Sequence, residues 1–587
     1  MSGHRFTVWA PEAPGVELVL GDARRVPMEP DGLRPTDRPG WWAAWVDDAS
    51  EGTDYGFSLE GGPTRPDPRS LWQPDGPDGL SRLVEPARIQ WSDERWTGIH
   101  LPSAVLYELH VGTFTPEGTF DSAISRLDHL VDLGVSAVEL MPVAEFPGRR
   151  GWGYDGVDLF AVHHAYGGPH GLARLVDACH ARGLAVVLDV VYNHLGPAGN
   201  YLGEFGPYFT DRYATPWGQA LNLDGPGSDE VRRFFIDNAL SWLGRYHLDG
   251  LRLDAVHAIV DTSATHLLEE LSTAVAGLSA QVGRRLFLIA ESDLNDPRVV
   301  RPRPVGGFGI DAQWSDDFHH ALHAVLTGER TGYYSDFGTM DDLATALRRA
   351  FVYDGRHSRH RGRRHGRRPD GLPGWSFLGY LQNHDQIGNR AVGERSSALM
   401  SVGRLKVAAA LVLGSPFVPM LFQGEEWGAS TPFQYFTSHP DPELGRAVSE
   451  GRRSEFESFG WDPDDIPDPQ DRATFERSQL DWSELSRPPH AELLEWHRRL
   501  IALRRHRPEL TDGRLDHVEV RHGADWLSLR RGEVLVAVNI GSGTRTLSLD
   551  GPGPRLLLVS EEKVSLVPGG VELVPDSAAV VWFEAVS

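Results

Sequence analysis

From about residue 102 onward, short apolar runs alternate with stretches of helical spacing, and the alternation repeats eight times. The runs cover 105–111, 137–142, 185–191, 250–256, 286–291, 312–314, 377–382 and 416–422. Segments between them, such as 171–180, place apolar residues at helical intervals. Eight βα units predict a (β/α)8 TIM barrel, with chemistry at the C-terminal ends of the strands. The stretch 194–223, rich in Gly, Pro and aromatics, reads as an excursion over that face.

The flanks differ. Runs such as 6–10, 16–20 and 41–46 are separated by Gly, Pro and Asp clusters, and they predict an N-terminal β-sandwich over 1–98. Trp41, Trp42 and Trp45 are expected to hold it together. The barrel is assigned 99–507. A C-terminal antiparallel β-sandwich is assigned 508–587, giving an α/β chain with two β flanks.

Composition removes several classes of function. The 587 residues carry 57 Lys+Arg against 82 Asp+Glu, a net charge of −25. That balance opposes a nucleic-acid partner, which needs cationic surface. No apolar run is long enough to span a membrane, and the N-terminus lacks the apolar core of a secretory signal. Cys179 is the single cysteine, so no intrachain disulfide forms, in keeping with a cytoplasmic location. It is expected to be buried and inert. The segment 356–368 holds seven Arg and three His. It reads as a solvated loop, with a substrate-touching lid as the alternative.

Acids and their partners cluster where the apolar runs end. Asp189, Asn193 and His194 close the third, Arg252 and Asp254 the fourth, Glu291 the fifth, and His384 and Asp385 the seventh. A carboxylate inside an apolar run is costly unless partners are supplied. One such residue would be a paired structural acid; four strand ends are hard to explain as packing. The set matches glycoside cleavage, in which one acid protonates the leaving oxygen and one carboxylate meets the anomeric carbon. Arg252, two residues before Asp254 on one strand face, is placed to keep that acid ionised. Glu291 needs a raised pKa to start protonated.

In order and position these segments resemble the four diagnostic regions of the α-amylase family, glycoside hydrolase family 13, over about 102–505. The resemblance implies Asp254 as nucleophile, Glu291 as general acid/base and Asp385 as transition-state stabiliser. It implies that His194 and His384 bind sugar hydroxyls at subsite −1 and that Tyr154 is the stacking platform there. Asp189 is architectural by the same likeness. Asn193 falls where secreted members place a calcium ligand, but no calcium cage is evident, so it reads as a loop-capping amide. No metal and no cofactor are expected.

The N-terminal sandwich resembles the family 48 carbohydrate-binding modules. The tracts 141–155, 382–390, 422–436, 443–453 and 468–471 are similar to those of the trehalohydrolase branch. Gln386 and Ser292 stand where branching enzymes have Glu. The likeness implies a maltooligosyltrehalose substrate, α-1,4-glucan in the minus subsites, and a maltooligosyltrehalose synthase as functional partner. It also implies retention of configuration, with Asp254 and Glu291 about 5–5.5 Å apart. His257, Asp316, Asp317 and Gln386 are expected to contact substrate, with Trp217 and Phe436 as further platforms. His319 and His320 read as structural. A branching or debranching enzyme, and a non-catalytic glycan-binding protein, are the competing readings.

Overall fold

A computed structural model describes residues 3–32, 39–215, 218–457, 462 and 465–584. Eight parallel strands close into a barrel. They are β1 (Leu106–Leu109), β2 (Ala137–Leu140), β3 (Ala185–Val190) and β4 (Gly250–Leu253), followed by β5 (Phe287–Ala290), β6 (Ala312–Trp314), β7 (Phe377–Gly379) and β8 (Val418–Phe422). Each falls within one of the eight expected runs. β8 pairs back onto β1 with Met420 opposite Leu106.

The period of two along each strand explains how an apolar barrel comes to carry charge. Leu106, Ala137, Ala185, Val187, Phe287, Ile289, Ala312, Leu378 and Val418 form a closed apolar cluster. Two residues further along the same strand face stand Glu108, Glu139, Asp189 and Glu291. Arg252 and Asp254 follow Gly250 in the same way. Gly250 has no side chain because Phe287 fills its place; a Cβ there would lie 2.5 Å from the ring. In register, Glu108 faces Glu139 and Asp189 faces Arg252. The charged layer is therefore one pleat above the apolar one.

N-terminal to the barrel, a sheet of three strands and one of five make the expected sandwich. Trp42 packs on its core as expected and donates to the Ala10 carbonyl at 3.0 Å, but the other two Trp depart from expectation. Trp41 turns toward the barrel side, its Nε1 donating to Glu230 at 3.3 Å. Trp45 is 53% exposed and does not belong to the sandwich core. Arg65 of this part pairs with Glu204 at 2.8 Å, which ties it to the 194–223 excursion. That excursion contains the hairpin Phe209–Thr215 and Gly218–Leu221.

After the helix His490–His506, antiparallel sheets of five and three strands complete the chain. Buried Lys406 locks them on, reaching Glu492 at 2.7 Å and Glu561 at 3.0 Å. Cys179 is fully buried in the helix Gly168–His180, and burial pushes its thiol pKa up, as an inert thiol requires. Among the described residues no helix is long and apolar enough to cross a membrane.

Candidate active site

Arg252, 1% exposed, organises the site. Its Nη1 donates to both oxygens of Asp189, at 2.8 and 2.7 Å, and to Asp254 Oδ1 at 2.8 Å. Its Nη2 lies 2.9 Å from Glu291 Oε2. The guanidinium plane rests 4.1 Å from the centroid of Trp314, which closes its other side. One cation thus grips the two acids assigned to bond cleavage, one on each terminal nitrogen.

The two acids are driven apart electrostatically. Burial alone raises the Asp254 carboxyl, but Arg252, the Asn193 amide and His194 outweigh it and hold it below the ordinary carboxylate range. Burial, joined by the charges of Asp254, Asp385 and Asp316, pushes Glu291 well above that range against the pull of Arg252. An ionised carboxylate beside a protonated one is what a nucleophile and a general acid need.

Around them the strand ends supply the rest. Tyr154 donates to Asp189 Oδ2 at 2.6 Å and meets His384 Nε2 at 2.8 Å, its ring stacked on His384. His384 Nδ1 reaches Glu108 at 2.5 Å. Burial lowers the His384 pKa, yet Glu108 reverses this and raises it. When protonated, the ring donates from both nitrogens, to Glu108 and to the Tyr154 oxygen. Asp189 is the hub the likeness implied, linking Arg252 to the tyrosine.

Asn193 is tied to the fourth strand end. Its amide donates to Asp254 Oδ2 at 2.6 Å and to the Asp254 carbonyl at 2.8 Å, while its oxygen accepts from His194 Nδ1. It fixes both Asp254 and His194. Glu108, Asn193 and Glu139 were missed as site residues. Glu108 and Glu139 carry the signal used for the others, an acid inside an apolar run. Neither oxygen of buried Glu139 has a hydrogen-bond partner. Burial, then Glu108 and Asp189, raise its carboxyl well above the usual range.

Asp385 lies in the short helix His384–Gly388, begun by Asn383, whose side chain accepts from the amides of Asp385 and Gln386. The Gln386 oxygen accepts from the Asn383 amide at 3.2 Å and closes that cap. This helix is seated on Trp152: a Cβ on Gly388 would stand 2.0 Å from two indole carbons. Gly388→Ala is therefore expected to cost about 1–3 kcal/mol. It should also lower kcat by displacing Asp385, which thermal unfolding and steady-state rates will read together.

Several expected contacts are rearranged. Asp317 is spent on a loop, its Oδ2 accepting from the Val352 and Tyr353 amides at 2.6 and 2.8 Å and from Asn295 at 2.8 Å. It is a structural acid, not a sugar ligand. Phe436 is fully buried among Met141, Trp152, Phe422 and Phe433 and offers no platform. Trp217 lies outside the described residues. His319 is held between the Leu381 carbonyl and Tyr334. Asp316 stays half-buried and accepts from Tyr380 at 2.5 Å; burial pushes its carboxyl up to about 7. His257 sits 4.0 Å from Asp293.

The Arg-rich segment is solvated as expected, with six of its seven Arg exposed, but it is not an irregular loop. It forms the hairpin Asp354–Ser358 and Arg363–Gly366. Arg361 at its turn pairs with Asp293 at 2.8 Å, and His365 Nε2 reaches the Asp293 carbonyl at 2.6 Å. Asp293 is two residues beyond Glu291, so the hairpin edges the site. Exposed Tyr333 also lies within electrostatic reach of Asp385. Among the described residues one group has metal-ligand character: Glu145 with His163 and His164, all within 4.8 Å. Hydrogen bonds of 3.1 and 2.8 Å already satisfy its carboxylate, and it closes the base of the loop bearing Tyr154.

Comparison with known proteins agrees with this geometry. Residues 83–211 match the family described as alpha amylase, catalytic domain, and residues 1–70 match carbohydrate-binding module 48 (isoamylase N-terminal domain). The chain is 53% identical over 578 residues to the malto-oligosyltrehalose trehalohydrolase of Arthrobacter ramosus, covering 94% of this chain and 99% of that one. It is 48% identical to the Mycobacterium tuberculosis protein of the same name, covering 98% of each. A crystal structure of an α-amylase-type protein from Salmonella typhimurium superposes with a TM-score of 0.90 at 38% identity, covering 99% and 98% of the two chains. With a closed eight-stranded barrel, an acid pair on one guanidinium and these full-length relatives, the chain belongs to the malto-oligosyltrehalose trehalohydrolases of the α-amylase family.

Proposed function

We propose that the enzyme hydrolyses the α-1,4 bond between a maltooligosaccharide and its terminal trehalose unit, releasing trehalose with retained configuration. The observation that carries the mechanism is the shared grip of Arg252 on Asp254 and Glu291. Asp254, ionised, attacks the anomeric carbon while Glu291 gives its proton to the trehalose O4. A β-glycosyl-enzyme forms. Glu291, now a base, takes a proton from water, which attacks the same carbon and restores the α configuration. Asp385 and His194 meet hydroxyls of the distorted sugar at subsite −1. Tyr154 and His384 form its platform and wall. Trehalose occupies the plus side, edged by His257, Asp316 and the Arg361 hairpin.

The assignment of 1–98, 99–507 and 508–587 as three domains is part of this reading. So are a cytoplasmic setting and dependence on a maltooligosyltrehalose synthase that makes the substrate. Incubation with maltotriosyltrehalose and with maltopentaose tests the reaction. Free trehalose should appear from the first far faster than any product from the second. Equal rates would point to a general α-glucanase.

Plus-side specificity is expected to rest on polar groups that a maltosyl end leaves unpaired. His257→Ala should lower kcat/KM for maltotriosyltrehalose at least about 10-fold more than for maltopentaose. Equal losses on both substrates would remove the histidine from the specificity set.

A further inference from the structure

A second buried cluster of ionisable groups lies apart from the catalytic acids. Glu145 is on the short strand Ala144–Glu145, which pairs with the strand Asp158–Val162. His163 and His164 follow directly on the second strand. The loop between the two strands carries Trp152 and Tyr154, so the three residues stand at its two ends. Three observations give the cluster a chemistry of its own.

First, its donors converge. His163 Nδ1 lies 3.1 Å, and His164 Nδ1 2.8 Å, from the same carboxylate oxygen, Glu145 Oε1. The other oxygen, Oε2, accepts from the His164 backbone amide at 2.9 Å. All three ligand atoms lie within 4.8 Å of one another. Donors at about 2.0–2.1 Å from a tetrahedral zinc stand about 3.3 Å apart, so the contacts that close the loop base also preset this spacing. Second, the ionisation suits a metal. Burial opposes the charge on Glu145, but His163 and His164 hold its carboxyl below the ordinary range. Burial lowers the His163 pKa and favours the neutral imidazole. That ring is stacked on Phe146 and its Nε2 has no hydrogen-bond partner, so its polar contact is made through Nδ1. Third, the surroundings call for a cation. Asp158 stands opposite Glu145 in register, is 5% exposed, and its Oδ2 has no hydrogen-bond partner. Burial, then the charges of Glu145, Asp67 and Asp78, push its carboxyl well above the ordinary range. A divalent ion held by Glu145 would offset this accumulation of acids.

We propose that Glu145, His163 and His164 bind a zinc ion that clamps the base of the Tyr154 loop. Two imidazole nitrogens and a carboxylate oxygen are donors that this borderline ion takes readily. Each imidazole then carries its proton on Nε2 and gives its Nδ1 lone pair to the metal. The His164 amide orients the carboxylate, as outer contacts of metal ligands do. His164, the least buried of the three, provides the way in. None of the ligands is an acid assigned to bond cleavage, so the site is independent of which glycoside is cut.

Zinc titration of the full-length chain, first freed of metal by a chelator, tests it by calorimetry and metal analysis. The wild type should bind one equivalent of Zn2+ and melt at a higher temperature with it than without it. His164→Gln should weaken zinc affinity at least about 100-fold and abolish that gain. X-ray absorption at the zinc edge of the loaded wild type should show a shell of nitrogen and oxygen with two imidazoles, a result that needs no variant. Less than one equivalent in the wild type, several weak equivalents, undiminished affinity in His164→Gln, or a shell lacking the two imidazoles overturns the proposal.

Discussion

Asp254→Asn is expected to slow trehalose release by at least about 10⁴-fold while leaving the fold in place. The substitution keeps shape but removes the charge that attacks the anomeric carbon. Glu291→Gln should cost about 10²–10⁴-fold with this alkoxide-like leaving group, because the proton donor is gone. The pH profile of kcat/KM gives the assignment a sign. Asp254 must be ionised, so activity falls as pH drops through its pKa, held below the ordinary range. Glu291 must be protonated, so activity falls again as pH rises through its pKa, held well above that range. The bell should therefore be broad, with its alkaline limb belonging to Glu291. An alkaline limb in the ordinary carboxylate range would contradict the raised acid.

Arg252→Met is expected to be the most damaging substitution for stability. It leaves Asp189, Asp254 and Glu291 buried without their shared cation. Breaking such a buried pair costs about 3–5 kcal/mol. The same change should move both limbs of the pH profile upward, because Arg252 lowers the pKa of both Asp254 and Glu291. A variant that lost stability but kept its limbs would show that Arg252 holds the barrel together without tuning the acids. Denaturant unfolding and pH–rate profiles separate the two effects.

The barrel was legible because its signal is local and repeated. Eight apolar runs are eight independent votes, and each became a strand. The clustering of the acids proposed as catalytic was legible for a related reason, since a charge inside an apolar run demands a partner. Residues whose role depends on a distant contact were not. Asn193 bonds Asp254 across 61 positions, and Glu108 meets His384 across 276. Nothing in the local sequence specifies either pairing. Exposure was also hidden. Trp45 and Phe436 have equal apolar character in the sequence, yet the fold leaves one open and seals the other. The basic segment was legible in part: its charges suggested solvent and six of its seven Arg are exposed, but nothing local showed that Arg361 would find Asp293 at the edge of the site.

The most direct test of the central claim is the anomeric configuration of the first product. The substrate is maltotriosyltrehalose, followed by proton NMR during the first minutes, before mutarotation. Double displacement through Asp254 predicts that the reducing end of the released maltooligosaccharide is α. A β product would mean that water attacks directly, with Asp254 as a base and no glycosyl-enzyme, and would contradict the account.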